Sequence, residues 1–279
     1  MSNLAPAPSY TLAMPSLAML LALALLTPSP SSPSPSSPSP SSPSPSSPTV
    51  APTSPLAPPS TTGWATILRT YTTADGGFRY AALHAHAEHR ALLDAYVHAI
   101  GTADPSRWTR DEQLAFYLDA YNALTVHAVI ARWPLRSVMD VQGFFDRVEH
   151  RVAGRAMTLN HLENDVIRAG FRDPRIHFAV NCASASCPPL HREPFTIQRD
   201  LNATLDRLTR AFVRRSTRVT NDGVRVSKLF EWFAADFEPR GGVRAFVASQ
   251  LDEPMASQVR DESRPLRHAS YDWATNARD

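Results

Sequence analysis

The first 62 residues contain no Asp, Glu, Lys or Arg, and within them "PSPSS" repeats four times from Pro28 to Ser47. Alternating proline removes backbone donors and favours extended polyproline II, while serine keeps the segment wet. Such a stretch builds no core and acts as a semi-rigid spacer. Any fold is therefore confined to residues 63–279, which carry all 28 basic and 26 acidic residues. About a quarter of that region is charged, ordinary for a globular domain, and its length suffices for one sizeable core.

Ahead of the spacer, "SLAMLLALALL" (Ser16 to Leu26) is an apolar run interrupted upstream by Pro15. A bilayer span needs about 20 apolar residues, whereas the core of an export signal needs roughly 7–15. Residues 1–26 are read as a signal peptide or N-terminal anchor and 27–62 as a Pro/Ser-rich linker. The folded part is expected to be extracytoplasmic, periplasmic or secreted, and tethered to a membrane or wall if the leader is retained. A net charge of +2, with arginine strewn along the domain, excludes a nucleic-acid surface.

"YAALHAHAEHRALLDAYVHAIG" (80–101) reads as one helix ending at Gly101. His84 and His86 point about 160° apart on it, so the three histidines there do not converge as ligands. "TRDEQLAFYLDAYNALTVHAVIAR" (109–132) is the strongest helix. Thr109 and Glu112 form a capping-box pattern, and Leu114, Tyr117, Leu118, Tyr121, Leu124 and Ala128 form a buried stripe. Asp119 and Asn122 flank that stripe; they line a polar pocket or tie the helix to a loop. A hairpin is expected around "VAGRAM", then a helix capped by Asn160 with Glu163 three residues on. "RIHFAV" alternates as a strand showing His177 on its polar face. Further on come a helix at "LNATLDRLTRAFVRRS", a strand pair around "NDG" (221–223), a helix in "SKLFEWFAADF" and an extended "HASYDWATN". Helices and strands intermix without repeated strand–helix–strand units, which makes this an α+β domain: a central helix on a small, mainly antiparallel sheet.

Both cysteines lie in "NCASASCPPL", directly after the His177 segment. As a thiol site, Cys187 would be the nucleophile, His177 the general base, and Asn122 or Glu163 the orienting group. As a disulfide, Cys182 and Cys187 would close a loop of about six residues, worth roughly 2 kcal/mol. His177, Cys182, Cys187 and His191 match zinc spacing only loosely, and no metal or other cofactor is expected. Reduced, buried structural cysteines are the fourth reading.

The stretches "FYLDAYNALTVHAVI", "TLNHLENDVIRAGFRDPRIHFAVNCASASCPPL", "VSKLFEWFAADF" and "YDWATN", in this order, resemble the exported bacterial members of the domain of unknown function 547 family across residues 63–279. The resemblance implies no agreed activity and names no partner. It maps the family's recurrent positions onto Tyr121, Asn122, His127, Glu163, Asp173, Arg175, His177, Cys182, Cys187 and Pro188. Of these, Tyr121, His127, Arg175 and Cys182, with Asn181, are candidate binding residues. Family members often carry Trp and Asn where this chain has Tyr117 and Asp119, a departure that bears on whether Asp119 belongs to any site; by residue type it too could orient His177. A helix packed on a His-bearing strand also resembles the papain and transglutaminase-like core, although there the cysteine precedes the histidine. Two functions follow: a cysteine-dependent hydrolase or acyltransferase, or a non-catalytic extracytoplasmic binding module with a Cys182–Cys187 disulfide.

Overall fold

The computed structural model describes residues 57–278; the leader (1–26) and most of the linker, with the expectations attached to them, lie outside the described residues. Helix α1 (Thr62–Tyr71) buries Trp64, Ile67, Leu68 and Tyr71, the i, i+3, i+4, i+7 face of an amphipathic helix. The single helix expected over 80–101 is two, α2 (Tyr80–Ala85) and α3 (Ala87–Thr102). The break falls at His86, whose backbone is extended and whose Nδ1 accepts the His89 amide at 3.3 Å. His86 thus caps α3 and stacks on His89 at 4.0 Å between ring centroids. The Tyr71 hydroxyl lies 2.7 Å from His89 Nδ1, so these histidines close helix ends.

Helix α4 (Arg110–Ile130) starts with the expected capping box, both halves of which form. Burial is not limited to one stripe: Ala115, Phe116, Asp119, Asn122, Val126 and Val129 are buried as well. A helix enclosed on most sides is a core helix. Its neighbours are α2, α3 and the helical segment α5 (159–171), so the small sheets sit at the margin of the core and not beneath α4. The overall class is α+β, as expected.

The hairpin β1 (Glu149–Val152) and β2 (Arg155–Thr158) pairs antiparallel across Ala153–Gly154, both with positive φ, the geometry of a tight two-residue turn. Segment α5 then runs through Leu159–His161, a π-helical stretch Leu162–Arg168, and Ala169–Phe171. Thr158, not Asn160, is its cap, accepting the His161 amide at 3.1 Å. That frees Glu163 from the capping role its spacing implied. The wider π turn puts Leu162 and Ile167, five apart, both into the core, and such turns recur at functional sites.

"RIHFAV" is not a strand. Asp173 accepts the Arg175 amide at 3.0 Å, Pro174 takes the first position, and Pro174–Phe178 winds as a 3-10 turn. Residues three apart eclipse in that geometry. Ile176 and Ala179 therefore enter the main core around α4, while Phe178 enters a second core with Phe212, Phe230, Phe237 and Phe246. A helix-on-His-strand arrangement of papain type is accordingly absent among the described residues.

Helix α6 (Leu201–Ser216) follows as read. Strands β3 (Arg218–Thr220) and β4 (Gly223–Val226) pair antiparallel around Asn221–Asp222, and β5 (Leu266–His268) adds to β4 in parallel. Gly223 is required there: its φ is +127°, and a Cβ would lie 2.3 Å from the Pro265 carbonyl oxygen. The helix expected in "SKLFEWFAADF" divides at Phe233 into α7 (Leu229–Trp232) and α8 (Ala234–Phe237). Helices α9 (Gly242–Ser249) and α10 (Met255–Arg260) complete the second core. The extended C-terminal run bridges back at Ser137↔Ala274, Ser184↔Thr275 and Phe78↔Ala277. No helix among the described residues is long and apolar enough to cross a membrane.

Candidate functional site

The "NCASASC" loop is held from inside. Asn122 Nδ2 donates to the Ala179 carbonyl at 2.9 Å, and its Oδ1 accepts the Asn181 amide at 2.8 Å. Asn181 in turn donates to the Pro188 carbonyl at 2.7 Å and accepts the Ala183 amide at 2.9 Å. Ala183 adopts φ +61°, a left-handed turn residue. Cys182 and Cys187 form a disulfide with Cα atoms 6.0 Å apart, within the usual span for a bridge. The Tyr271 hydroxyl stands over it, 3.2 Å from Cys182 Sγ and 3.4 Å from Cys187 Sγ, and 3.1 Å from Ser184 Oγ. Of the four readings of this stretch, the structure holds the bridge. The described residues contain no group of three His, Cys, Asp or Glu placed to hold a metal ion.

His177 is buried, and its Nε2 lies 2.6 Å from Asp236 Oδ2. A carboxylate only accepts, so Nε2 carries the proton. The other nitrogen, Nδ1, is buried without a partner, and neither sulfur hydrogen-bonds the ring. Phe233 stacks on the imidazole at 4.0 Å. Arg168 reaches Asp236 through Nε and Nη2, both at 2.8 Å, and lies over the Phe233 ring at 4.7 Å. Burial pushes the Asp236 carboxyl up, but hydrogen bonds from His177 and Arg168 outweigh it and hold it well below the usual carboxylate range. The group on His177 is therefore Asp236, in place of the expected Asn122 or Glu163.

Glu163, on the π turn, shares this electrostatic neighbourhood. Burial pushes its carboxyl above the ordinary range, against the pull of His177, the Tyr121 hydroxyl that donates to it, and Arg168. Tyr121 is raised by burial and then by Glu163. Tyr271 is pushed up to about 12 by burial, reinforced by Glu163 and opposed by its bond with Ser184. A carboxyl whose folded pKa exceeds its unfolded one loses stability as pH rises through that interval. The Glu163→Gln variant keeps an acceptor for Tyr121 and removes the charge. It is expected to gain stability relative to the parent between pH 4 and pH 8 in urea titrations; a constant difference across that range would contradict the raised carboxyl.

Other expected site residues lie elsewhere. His127 faces Asp94 of α3 at 3.2 Å. Arg175 is consumed by Asp173, Asp206 and Asn202, which pin the 3-10 turn to α6. Asp119 accepts the Trp64 indole N–H and the Phe195 amide, each at 3.0 Å, tying α4 to α1 and to the chain after the loop. Asn122 and Asp119 are thus helix-to-loop ties. What the sequence reading missed is Asp236, Arg168, Ser184 and an aromatic shelf: Tyr271 and Trp273 at 4.6 Å, Trp232 at 4.7 Å from Tyr271, and Phe145 at 6.3 Å from Trp273. Trp232 is 44% exposed, high for so large an apolar ring. Asp236 and Trp232 lie in "SKLFEWFAADF" and Tyr271 and Trp273 in "YDWATN", two stretches that carried the family resemblance without any assigned role.

A helical α+β domain with a disulfide-closed loop beside a buried His–Asp–Arg cluster defines the class. The family model described as "Protein of unknown function, DUF547" matches residues 105–213 of this chain. The match takes in α4, the π turn and both cysteines; Asp236 and the aromatic shelf lie beyond it. No curated protein and no solved structure matches the chain.

Proposed function

We propose that this chain is an extracytoplasmic binding module with a structural disulfide, and that it is not a thiol hydrolase or acyltransferase. The observation that carries the reading is the state of the sulfurs: Cys187 is bonded to Cys182, and neither sulfur hydrogen-bonds the His177 ring that Asp236 orients. A nucleophilic cysteine needs a thiolate with a base within reach; the bridged sulfur offers no thiolate. The ligand face is the shelf of Trp232, Tyr271 and Trp273 over the bridged loop, where the exposed Trp232 ring and its two half-buried neighbours offer rigid contact area at low entropic cost. Export through the apolar leader, the expectation from the sequence, would put the bridge in an oxidising compartment, where disulfides persist. The Pro/Ser linker would then hold the domain away from a membrane or wall.

Mass spectrometry without reductant should show a quantitative two-dalton deficit, and iodoacetamide should leave the native protein unlabelled. Labelling of Cys187 together with a turnover that dies with Cys187→Ala would reverse the proposal. Replacing both cysteines by serine should cost about 2 kcal/mol, the loop-entropy value for so short a closure. For a domain of this size that is about 4–8 °C in Tm, with secondary structure retained by circular dichroism.

A further inference from the structure

Beyond the disulfide loop, the chain at 191–199 and the start of α6 enclose a cavity of about 200 Å³, lined among others by His191, Thr196, Arg199, Thr204 and Arg207. It belongs neither to the aromatic shelf nor to the His177 cluster. Its charges do not cancel. Glu193 is the only acid in the wall, and it is shared: Arg69 grips it through Nε and Nη2 at 2.8 and 2.6 Å, and Arg199 reaches it at 3.1 Å. Among the described residues Arg207 has no carboxylate partner, and its one polar contact is His191 Nε2 at 3.4 Å. His191 Nδ1 lies 2.6 Å from the Glu193 carbonyl oxygen, which only accepts. The proton is therefore on Nδ1, and Nε2 can offer no more than a lone pair to Arg207. Thr204 is buried, and among the described residues neither its hydroxyl nor that of Thr196 hydrogen-bonds to protein.

Unpaired donors around a void that water can fill need an acceptor. At about 30 Å³ per molecule the cavity has room for roughly six waters, or for one compact ion with part of its hydration. The donors approach from two segments: the Arg207 guanidinium and the Thr204 hydroxyl from α6, and the Arg199 guanidinium and the Thr196 hydroxyl from the preceding chain. That is more than the two oxygens of a carboxylate can use from one side, whereas a tetrahedral oxyanion presents acceptors in every direction. Arginine forks match such oxygens in pairs.

We infer that this cavity is a binding site for a tetrahedral oxyanion, of phosphate or sulfate type, with Arg207 as its principal ligand and Thr204, Thr196 and Arg199 as supporting donors. Along α6 from Arg207, a shallow groove lined by Arg210, Arg214 and Asp206, the last held by Arg175, continues outward. Arg214 is paired with Asp252, while Arg210 has no acidic partner among the described residues. The ion would therefore sit at the inner end of a basic track, open to whatever organic group carries it.

The inference is tested on the full chain with inorganic phosphate and sodium sulfate as separate titrants in calorimetry, each at constant ionic strength in chloride. Saturable binding of either anion is expected, with phosphate alone or sulfate alone showing which form is preferred. Arg207→Gln should weaken it at least tenfold, Thr204→Val severalfold, and Arg210→Gln, outside the cavity, less than twofold. The His191 imidazole signals in a ¹H–¹⁵N spectrum should move with the anion in the parent and stay still in Arg207→Gln, a readout that holds even if Thr204→Val unfolds. Equal weakening by Arg207→Gln and Arg210→Gln would mean diffuse attraction to a basic helix and would overturn the site. So would a response that chloride reproduces.

Discussion

Asp236→Ala is expected to lower stability by about 3 kcal/mol at pH 7, the lower end of the cost of stripping one partner from a buried ion pair. The lower end applies because Asp236 keeps 26% of its side chain exposed. Its loss leaves Arg168 without the acceptor of two charge-assisted bonds and His177 with both ring nitrogens unpartnered. The effect has a defined pH signature. Hydrogen bonds from His177 and Arg168 depress this carboxyl, so its stabilisation is present above the unfolded carboxylate pKa, about 3.9, and is lost as pH falls toward the folded value. Urea unfolding at pH 7 and pH 3 should therefore show a gap between parent and variant that narrows in acid. A gap below 1 kcal/mol at pH 7, or one of equal size at both pH values, would mean that the His177–Asp236–Arg168 cluster contributes little to stability.

Phe178→Ala should cost about 3–5 kcal/mol, the range for deleting a large buried aromatic side chain. Phe178 is 1% exposed and packs within 6.3 Å of four other phenylalanine rings, Phe212, Phe230, Phe237 and Phe246. It is also the residue that the 174–178 turn sends into the second core, so the cavity it leaves undermines α8 and with it the position of Asp236. Phe178→Leu, which refills most of that volume, should cost less than half as much. If denaturation midpoints of the two variants coincide, the packing around this ring is looser than the distances imply.

These two residues also show why the site was hard to read in the chain. The His177 stretch alternates apolar and polar residues, which fits a strand, yet Asp173 and Pro174 set up a 3-10 turn, and every residue from Ile176 to Asn181 is buried. Periodicity loses its meaning where both sides of a segment are core. Asp236 stands 59 residues from His177, and its helix was read as continuous. Only the break at Phe233 turns Asp236 and Phe233 onto the imidazole. Glu163 was identified, but its spacing from Asn160 assigned it to a cap that Thr158 fills.

Local chemistry was more reliable. The capping box of Thr109 and Glu112, the turns at Ala153–Gly154 and Asn221–Asp222 and the span of α6 all follow from interactions within a few residues, and such interactions are written in neighbouring letters. The α+β class and the family-model match over residues 105–213 belong to the same level. Tertiary structure alone decided that the two cysteines are bridged, that Asn122 and Asp119 are ties, and that His177 belongs to Asp236 and Arg168. Each of those outcomes is a choice among chemically equivalent partners far apart in the chain. Burial makes it, because a polar group withdrawn from water must bond whichever complement the packed core brings beside it.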